Sequence, residues 1–164
     1  MDSFDDVLSA NADYARRFQD SGRPGVAGRG LAVILCMDSR ISPLDMLGLE
    51  PGDAKILRNA GARITDEVLR NLVVATLVLG VNRVMVVGHT DCGMTKATDD
   101  DVHQLGLENG IDTRSIDIGT IQDQRATLER DVLRLRTSPF LPKDLAALGA
   151  IYDVRTGLIE VVVP

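Results

Sequence analysis

A chain of 164 residues is most simply one domain, spanning 1–164, and is large enough to bury a substantial core without disulfide staples. A formal charge of −6 and a pI near 4.8 leave no basic face for a nucleic acid, and the lack of Trp removes the usual stacking platform for single strands. The opening Met1-Asp2-Ser3-Phe4-Asp5-Asp6 is not a basic, apolar leader, and no apolar run approaches the ~18 residues of a membrane span, so a cytoplasmic protein without membrane contact is expected.

Residues 2–19 predict a helix, in which Phe4, Val7, Leu8, Ala12 and Phe18 recur at mixed three- and four-residue intervals. Ser21-Gly22-Arg23-Pro24-Gly25 ends it. Its apolar side serves either its own domain or a second subunit. The run Leu31-Ala32-Val33-Ile34-Leu35 then reads as a buried strand that stops abruptly at a thiol, a carboxylate and a guanidinium: Cys36, Asp38 and Arg40. If the chain stays extended past Leu35, Cys36 and Asp38 project to the same side. Ser42-Pro43 signals a turn or helix start leading into 44–49, and Glu50-Pro51-Gly52-Asp53 breaks it. A short strand at 54–57 runs into Arg58-Asn59-Ala60-Gly61. Thr65-Asp66-Glu67 opens a helix whose acidic residues suit its positive amino end, and 68–79 is apolar nearly all round, which predicts a buried helix in the core or in a subunit interface.

Gly80 closes that helix and a strand at 83–87 follows, with crossovers long enough for parallel pairing. Gly88 and Gly93 bracket His89-Thr90-Asp91-Cys92, where missing side chains let backbone approach a metal or substrate closely. A helix starts within 94–101, but Gly106, Gly110 and Gly119 interrupt any period across 102–121. Another helix spans 122–136, with Leu128, Val132, Leu133 and Leu135 among alternating charges, and Ser138-Pro139 stops it. Residues 142–145 form a short helical or loop segment. The runs 146–152 and 158–163 flank Asp153-Val154-Arg155-Thr156-Gly157 as a terminal β-hairpin. The expected fold is α/β: a mainly parallel central sheet flanked by helices, with an amino-terminal helix and a carboxyl-terminal β-hairpin.

The chain's two cysteines both stand just past buried strands. Ligands of open α/β sheets collect outside the carboxyl ends of the strands, so two such ends side by side would bring Cys36, Asp38, His89 and Cys92 to one point. Two thiolates, an imidazole and a carboxylate form a zinc ligand set. Singly, each residue has a plainer role, since free cysteine is among the most buried residue types and a lone histidine is commonly structural. Jointly they point to a metal. Asp38 and Arg40 could form a local ion pair worth little when exposed, but beside two metal ligands a functional pair is favoured. His103 is either a proton shuttle or an exposed bystander, and the bystander is the simpler reading.

Cys36-Met37-Asp38-Ser39-Arg40, Arg58-Asn59-Ala60-Gly61 and Gly88-His89-Thr90-Asp91-Cys92-Gly93, in that order, resemble the β-class carbonic anhydrases, in particular their short prokaryotic members. The resemblance implies a four-stranded, mainly parallel sheet, a homodimer or tetramer, and a zinc ion (Zn2+) held by Cys36, His89 and Cys92. It implies reversible hydration of carbon dioxide to bicarbonate by a zinc-bound hydroxide, with Asp38 and Arg40 as the catalytic dyad. Asp38 either occupies the fourth zinc position, closing the site, or pairs with Arg40 and leaves that position to water. Arg40 keeps Asp38 ionised and turned away through a bidentate pair, and Asp38 then orients the metal-bound water. Asn59, Ala60, Gly61 and Gly93 are candidate substrate-pocket positions, although Asn59-Ala60-Gly61 can equally be a simple turn. One departure stands out: many members carry a glutamine in the substrate pocket shortly before the first ligand cysteine, and here none lies between Gln19 and Cys36. Rival readings are hydrolysis of carbon disulfide or carbonyl sulfide at the same centre, a non-catalytic zinc protein with all four ligands engaged, and a receiver-like signalling domain, which leaves both cysteines and His89 unexplained.

Overall fold

The computed structural model describes residues 2–20 and 22–164. Its elements in chain order are α1 (Asp5–Arg17), β1 (Leu31–Cys36), α2 (Pro43–Leu47), β2 (Ala54–Asn59), α3 (Asp66–Leu77), β3 (Arg83–His89), α4 (Asp99–Glu108), α5 (Gln124–Thr137), β4 (Ala146–Tyr152) and β5 (Ile159–Val163). Five strands form one sheet in the order β2-β1-β3-β4-β5, with β5 antiparallel to β4 and every other pair parallel. The expected four parallel strands are there, and the second arm of the terminal hairpin adds a fifth. Among the described residues, no helix is long and apolar enough to cross a membrane.

A strand covered on both faces must be apolar at nearly every position. This holds for β1, where Ala32, Val33, Ile34 and Leu35 are fully buried, and β1 and β3 accordingly occupy the middle of the sheet. One face is covered by α3 through Val68, Leu72 and Ala75 and by α5 through Leu128, Val132 and Leu135, set against Ala32, Ile34, Val84, Val86 and Ala147. The opposite face is thinner: Val33, Leu35, Ile41 and Val87 meet only Met46 and Leu47 of the short α2 among the helices. Pro43 starts α2 at a position where no backbone donor is needed, and Gly48, at φ 58°, ends it in the left-handed region.

Several expectations need correction. Although α3 is apolar nearly all round, only three of its residues are buried, and Val74, Leu77 and Val78 face outward. A helix laid on a sheet covers it with one side, and its composition does not provide the other side with a partner. No residue of α1 is buried, and Ser21, where the sequence suggests that this helix has ended, lies outside the described residues. Strands β2 and β3 run two residues further than their apolar runs, because the ladder continues through Cys36 opposite Asn59 and His89 opposite Tyr152. Within 102–121, α4 persists to Glu108, started by a reciprocal cap in which Asp101 N–H donates to Thr98 Oγ1 at 3.1 Å and Thr98 N–H donates to Asp101 Oδ2 at 2.8 Å. The loop that follows is anchored by Asp99, whose carboxylate accepts from the backbone of Gly119 at 3.2 Å and Thr120 at 2.9 Å.

Helix α5 can lie close on β4 only because Gly149 has no side chain: a Cβ there would meet Val132 Cγ2 at 2.9 Å and Leu128 Cγ at 3.0 Å. Both neighbours sit in the core with nowhere to move. Gly149→Ala is therefore expected to lower stability by about 1–3 kcal/mol, read as a lower urea midpoint with an unchanged slope.

Candidate metal centre

Strands β1 and β3 are hydrogen-bonded neighbours, with Leu35 opposite Val87, so their carboxyl ends emerge side by side. Cys36 is the last residue of β1 and His89 the last of β3. The chain then turns: Thr90 N–H donates to Tyr152 O at 2.9 Å, Val154 N–H donates to Thr90 Oγ1 at 3.1 Å, and Asp91 takes φ 57°. That turn returns Cys92 to the strand ends. The ligand atoms of Cys36, His89 and Cys92 all lie within 4.8 Å of one another, and the two sulfurs are 3.9 Å apart. Exposure of the three residues is 5%, 1% and 1% in chain order, so water does not solvate them.

Such a cluster is costly unless something offsets the burial. The carbonyl of Thr90 can only accept, so His89 Nδ1 carries the proton and donates to it at 2.9 Å. That tautomer leaves Nε2 with a bare lone pair, and among the described residues this buried nitrogen has no hydrogen-bond partner. Burial pushes the Cys92 thiol up to about 11; the Met94 backbone opposes the rise and the nearby Cys36 sulfur adds to it. Gly61 N–H lies 3.4 Å from Cys36 Sγ, an approach that needs Gly61 at φ 80°, where a Cβ would meet Ile121 Cδ1 at 2.8 Å. A divalent cation with a preference for sulfur and imidazole answers all of this: it takes the Nε2 lone pair and makes the thiolates favourable in a dry site.

Beside the cluster, Asp38 lies in the loop after β1 with Oδ2 3.9 Å from His89 Nε2. It is gripped by Arg40, whose Nε lies 3.0 and 3.2 Å from the two carboxylate oxygens and whose Nη2 donates to Oδ2 at 2.7 Å; the Arg40 backbone N–H adds a bond to Oδ1 at 2.9 Å. These bonds hold Asp38 well below the usual carboxylate range, so it is ionised at any physiological pH. Arg58 fixes the loop itself by donating to the carbonyls of Cys36 at 2.9 Å, Asp38 at 2.6 Å and Ile41 at 3.2 Å.

Two residues that sequence reasoning passed over complete the rim. Arg40 Nη1 donates to Asp91 Oδ2 at 2.8 Å, and Lys96 Nζ lies 2.6 Å from Asp91 Oδ1. The two cations, Lys96 first, lower Asp91 to about 2. The position of Asp91 inside the His-x-x-Cys turn was the available signal. Asp38, Ser39, Arg40, Asp91, Gly93 and Lys96 line an open depression of about 460 Å³. Asn59 and Ala60 instead border a separate depression of about 280 Å³ with Arg63 and Arg134. Asn59 closes its own turn there, donating to Arg63 O at 2.7 Å and accepting from Arg63 N–H at 2.8 Å. His103 is half-buried and bonded to Thr113 Oγ1 at 2.9 Å, neither the exposed bystander nor a member of the cluster.

The carbonic anhydrase family model matches residues 31–159. β-Carbonic anhydrase 1 of Mycobacterium tuberculosis (strain ATCC 25618 / H37Rv) is 36% identical over 164 residues, covering 98% of each chain. A carbon disulfide hydrolase of Acidianus sp. (strain A1-3) is 31% identical, covering 93% of this chain and 85% of its own. Among solved structures, a carbonic anhydrase from Streptococcus mutans superposes with a TM-score of 0.91 at 37% identity, covering 99% of this chain and 98% of that one.

Cobalt(II) reports thiolate ligation through its charge-transfer absorption. The metal-free protein is expected to bind one cobalt per chain with sulfur-to-metal bands, and Cys36→Ser, Cys92→Ser or His89→Ala each to weaken binding by more than the ~10–100-fold that follows loss of a hydrogen bond supporting a ligand.

Proposed function

This chain belongs to the β-class carbonic anhydrase family, and we propose that it catalyses the reversible hydration of carbon dioxide to bicarbonate at a zinc ion held by Cys36, His89 and Cys92. The observation that carries the reading is the buried His89 Nε2, which has no hydrogen-bond partner among the described residues, beside two buried sulfurs. Zinc bound there supplies the Lewis acidity that makes hydroxide available from water near neutral pH.

The chain's own residues supply orientation and gating. Asp38 is ionised and accepts hydrogen bonds only, so it can accept a hydrogen bond from a nucleophilic water and fix the direction of its lone pair. Its contact with Arg40 is the arrangement that leaves the fourth ligand position open. Rotation toward the metal, across the 3.9 Å that separates Asp38 Oδ2 from His89 Nε2, would close it. Arg40 sets the balance by offering the carboxylate an alternative partner. Arg58 limits the loop's freedom, so the choice is one of side-chain rotation rather than backbone movement.

The Acidianus relative supports a second reading, hydrolysis of carbon disulfide. Both substrates are linear molecules with an electrophilic central carbon, so one nucleophile serves either. A permanently four-coordinate zinc protein would require Asp38 to give up its pair with Arg40 for the metal.

Assembly is part of the same reading. An isolated helix of 13 residues is marginal in water, yet α1 exposes Phe4, Val7, Leu8, Tyr14 and Phe18 along its length and before and after it. The outward side of α3 and the thinly covered sheet face are also apolar. We propose a homodimer or tetramer in which these surfaces meet.

Stopped-flow assays on protein of known metal content test the function. One zinc per chain is expected, with carbon dioxide hydrated far faster than carbon disulfide is hydrolysed; the opposite ratio favours the second reading, and full activity without metal refutes both. Arg40→Ala should keep its zinc and lose roughly tenfold or more of its activity, because Asp38 then has only the metal as a strong partner. Activity equal to wild type would remove the gate. For assembly, light scattering at micromolar concentration should give at least twice the chain mass, from interfaces burying more than ~1,000 Å². Leu8→Asp with Phe18→Asp should lower that mass.

A further inference from the structure

Arg40 has two hydrogen-bonding edges, and the pairing with Asp38 uses one. The other is also occupied: Nη1 donates to Asp91 Oδ2 at 2.8 Å, and Nη2 reaches the Asp91 carbonyl at 3.2 Å. A guanidinium is planar and rigid, so fixing one edge fixes the direction of the other. The remaining oxygen of Asp91, Oδ1, lies 2.6 Å from Lys96 Nζ. Asp91 is thus held between two cations, one from the loop after β1 and one from the turn after Cys92.

Neither backbone nor stability accounts for a carboxylate at this position. Asp91 stands at φ 57°, which Gly or Asn would take at least as readily. The side chains concerned are well exposed, at 47% for Arg40, 39% for Asp91 and 60% for Lys96, and ion pairs so exposed add little to folding. What the pair does supply is direction, and it does so from between His89 and Cys92, two of the three ligands.

We propose that Asp91 is a positioning residue for the gate: by holding the far edge of Arg40 it keeps the near edge presented to Asp38, and so biases Asp38 away from the metal, with Lys96 steadying Asp91. This rests on the gate described above and extends it to the ligand turn. The residues that hold the ion and the residue that controls its fourth position are then mechanically joined.

The test needs a readout of the open position besides turnover. Thiocyanate titrated into cobalt-substituted protein gives one, since an anion entering the fourth position shifts the cobalt bands. Asp91→Asn removes a negative charge near the site, which on simple electrostatics would strengthen anion binding. The positioning role gives the opposite sign: with its far anchor weakened from a charged pair to a bond with a neutral amide, Arg40 holds Asp38 less well, Asp38 competes for the metal, and thiocyanate should bind up to about tenfold more weakly, with carbon dioxide hydration falling in parallel. Asp91→Gly, which also suits φ 57°, should give the same result and guards against misfolding of one variant. In an Arg40→Ala background, Asp91→Asn should weaken thiocyanate no further. Thiocyanate binding to Asp91→Asn that is unchanged or tighter overturns the inference, and so does a weakening of equal size when Arg40 is absent. If Arg40→Ala alone still weakens binding, the gate survives that failure; if Arg40→Ala also leaves binding unchanged, the gate falls with it.

Discussion

An imidazole nitrogen buried without a partner costs about 1–3 kcal/mol, and two sulfurs enclosed beside it cannot ionise cheaply without a cation. His89 Nε2, Cys36 Sγ and Cys92 Sγ are in that position, and much of the surrounding structure serves to keep them there. The parallel register of β1 and β3 sets the strand ends side by side. The proton on His89 Nδ1 is committed to Thr90 O, which fixes both tautomer and ring orientation. Gln124 Nε2 donates to His89 O at 2.8 Å from α5, and it can come so near because Gly88 has no side chain; a Cβ there would lie 3.0 Å from that nitrogen. Gly61 makes the matching approach to Cys36 from the β2 side. Together these features are coherent in a protein built to hold an ion.

The parts of the fold that were legible in the sequence are those where burial imposes a pattern. Central parallel strands are apolar throughout, so β1 and β3 stand out, and the hairpin is marked by the runs 146–152 and 158–163 on either side of a turn that holds Gly157, at φ 75°. The cluster of Cys36, His89 and Cys92 was legible because cysteine and histidine at strand ends combine types that rarely coincide by chance. Of helix α4 only the start, within 94–101, was legible; its course to Glu108 was not, because none of its residues is buried and it therefore has no apolar period to find, and the sharper signal of its start was the cap formed by Thr98 and Asp101. For α3, composition told that apolar surface existed but not which side had a neighbour. Asp91 and Lys96 escaped for a related reason: an exposed charge looks like a solvated surface until its partner's position is known. Asn59 carried an ambiguity that only geometry could resolve, since its amide spends both its donor and its acceptor on Arg63.

The sheet is unequally dressed, and this bears on where chemistry can occur. Helices α3 and α5 thicken one face, while α2 alone covers part of the other. Beyond the ends of β1 and β3, none of the residues that line the depression around Asp38, Arg40 and Gly93 comes from α1 to α5, and the depression is open. A small, uncharged electrophile needs no more access than this.

A hydration catalyst has two conflicting requirements: ligands that do not move and a fourth position that exchanges rapidly. Burial separates them within one site. Cys36, His89 and Cys92 are at most 5% exposed and are tied into strand ladders and backbone bonds, so their geometry is set by the core. The side chains of Asp38, Asp91 and Arg40 rise through 16%, 39% and 47% exposure, in that order, and are linked mainly by hydrogen-bonded ion pairs. Solvent screens such pairs until alternatives differ little in free energy, which makes them poor as staples and well suited to a switch. Were the same carboxylate and guanidinium buried as deeply as the ligands, their pairing would be strong enough to fix a single state, and the fourth position would be permanently open or permanently closed. In the proposed mechanism, the gradient from core to rim, a few residues long, is what would let a rigid metal cradle carry a reversible gate.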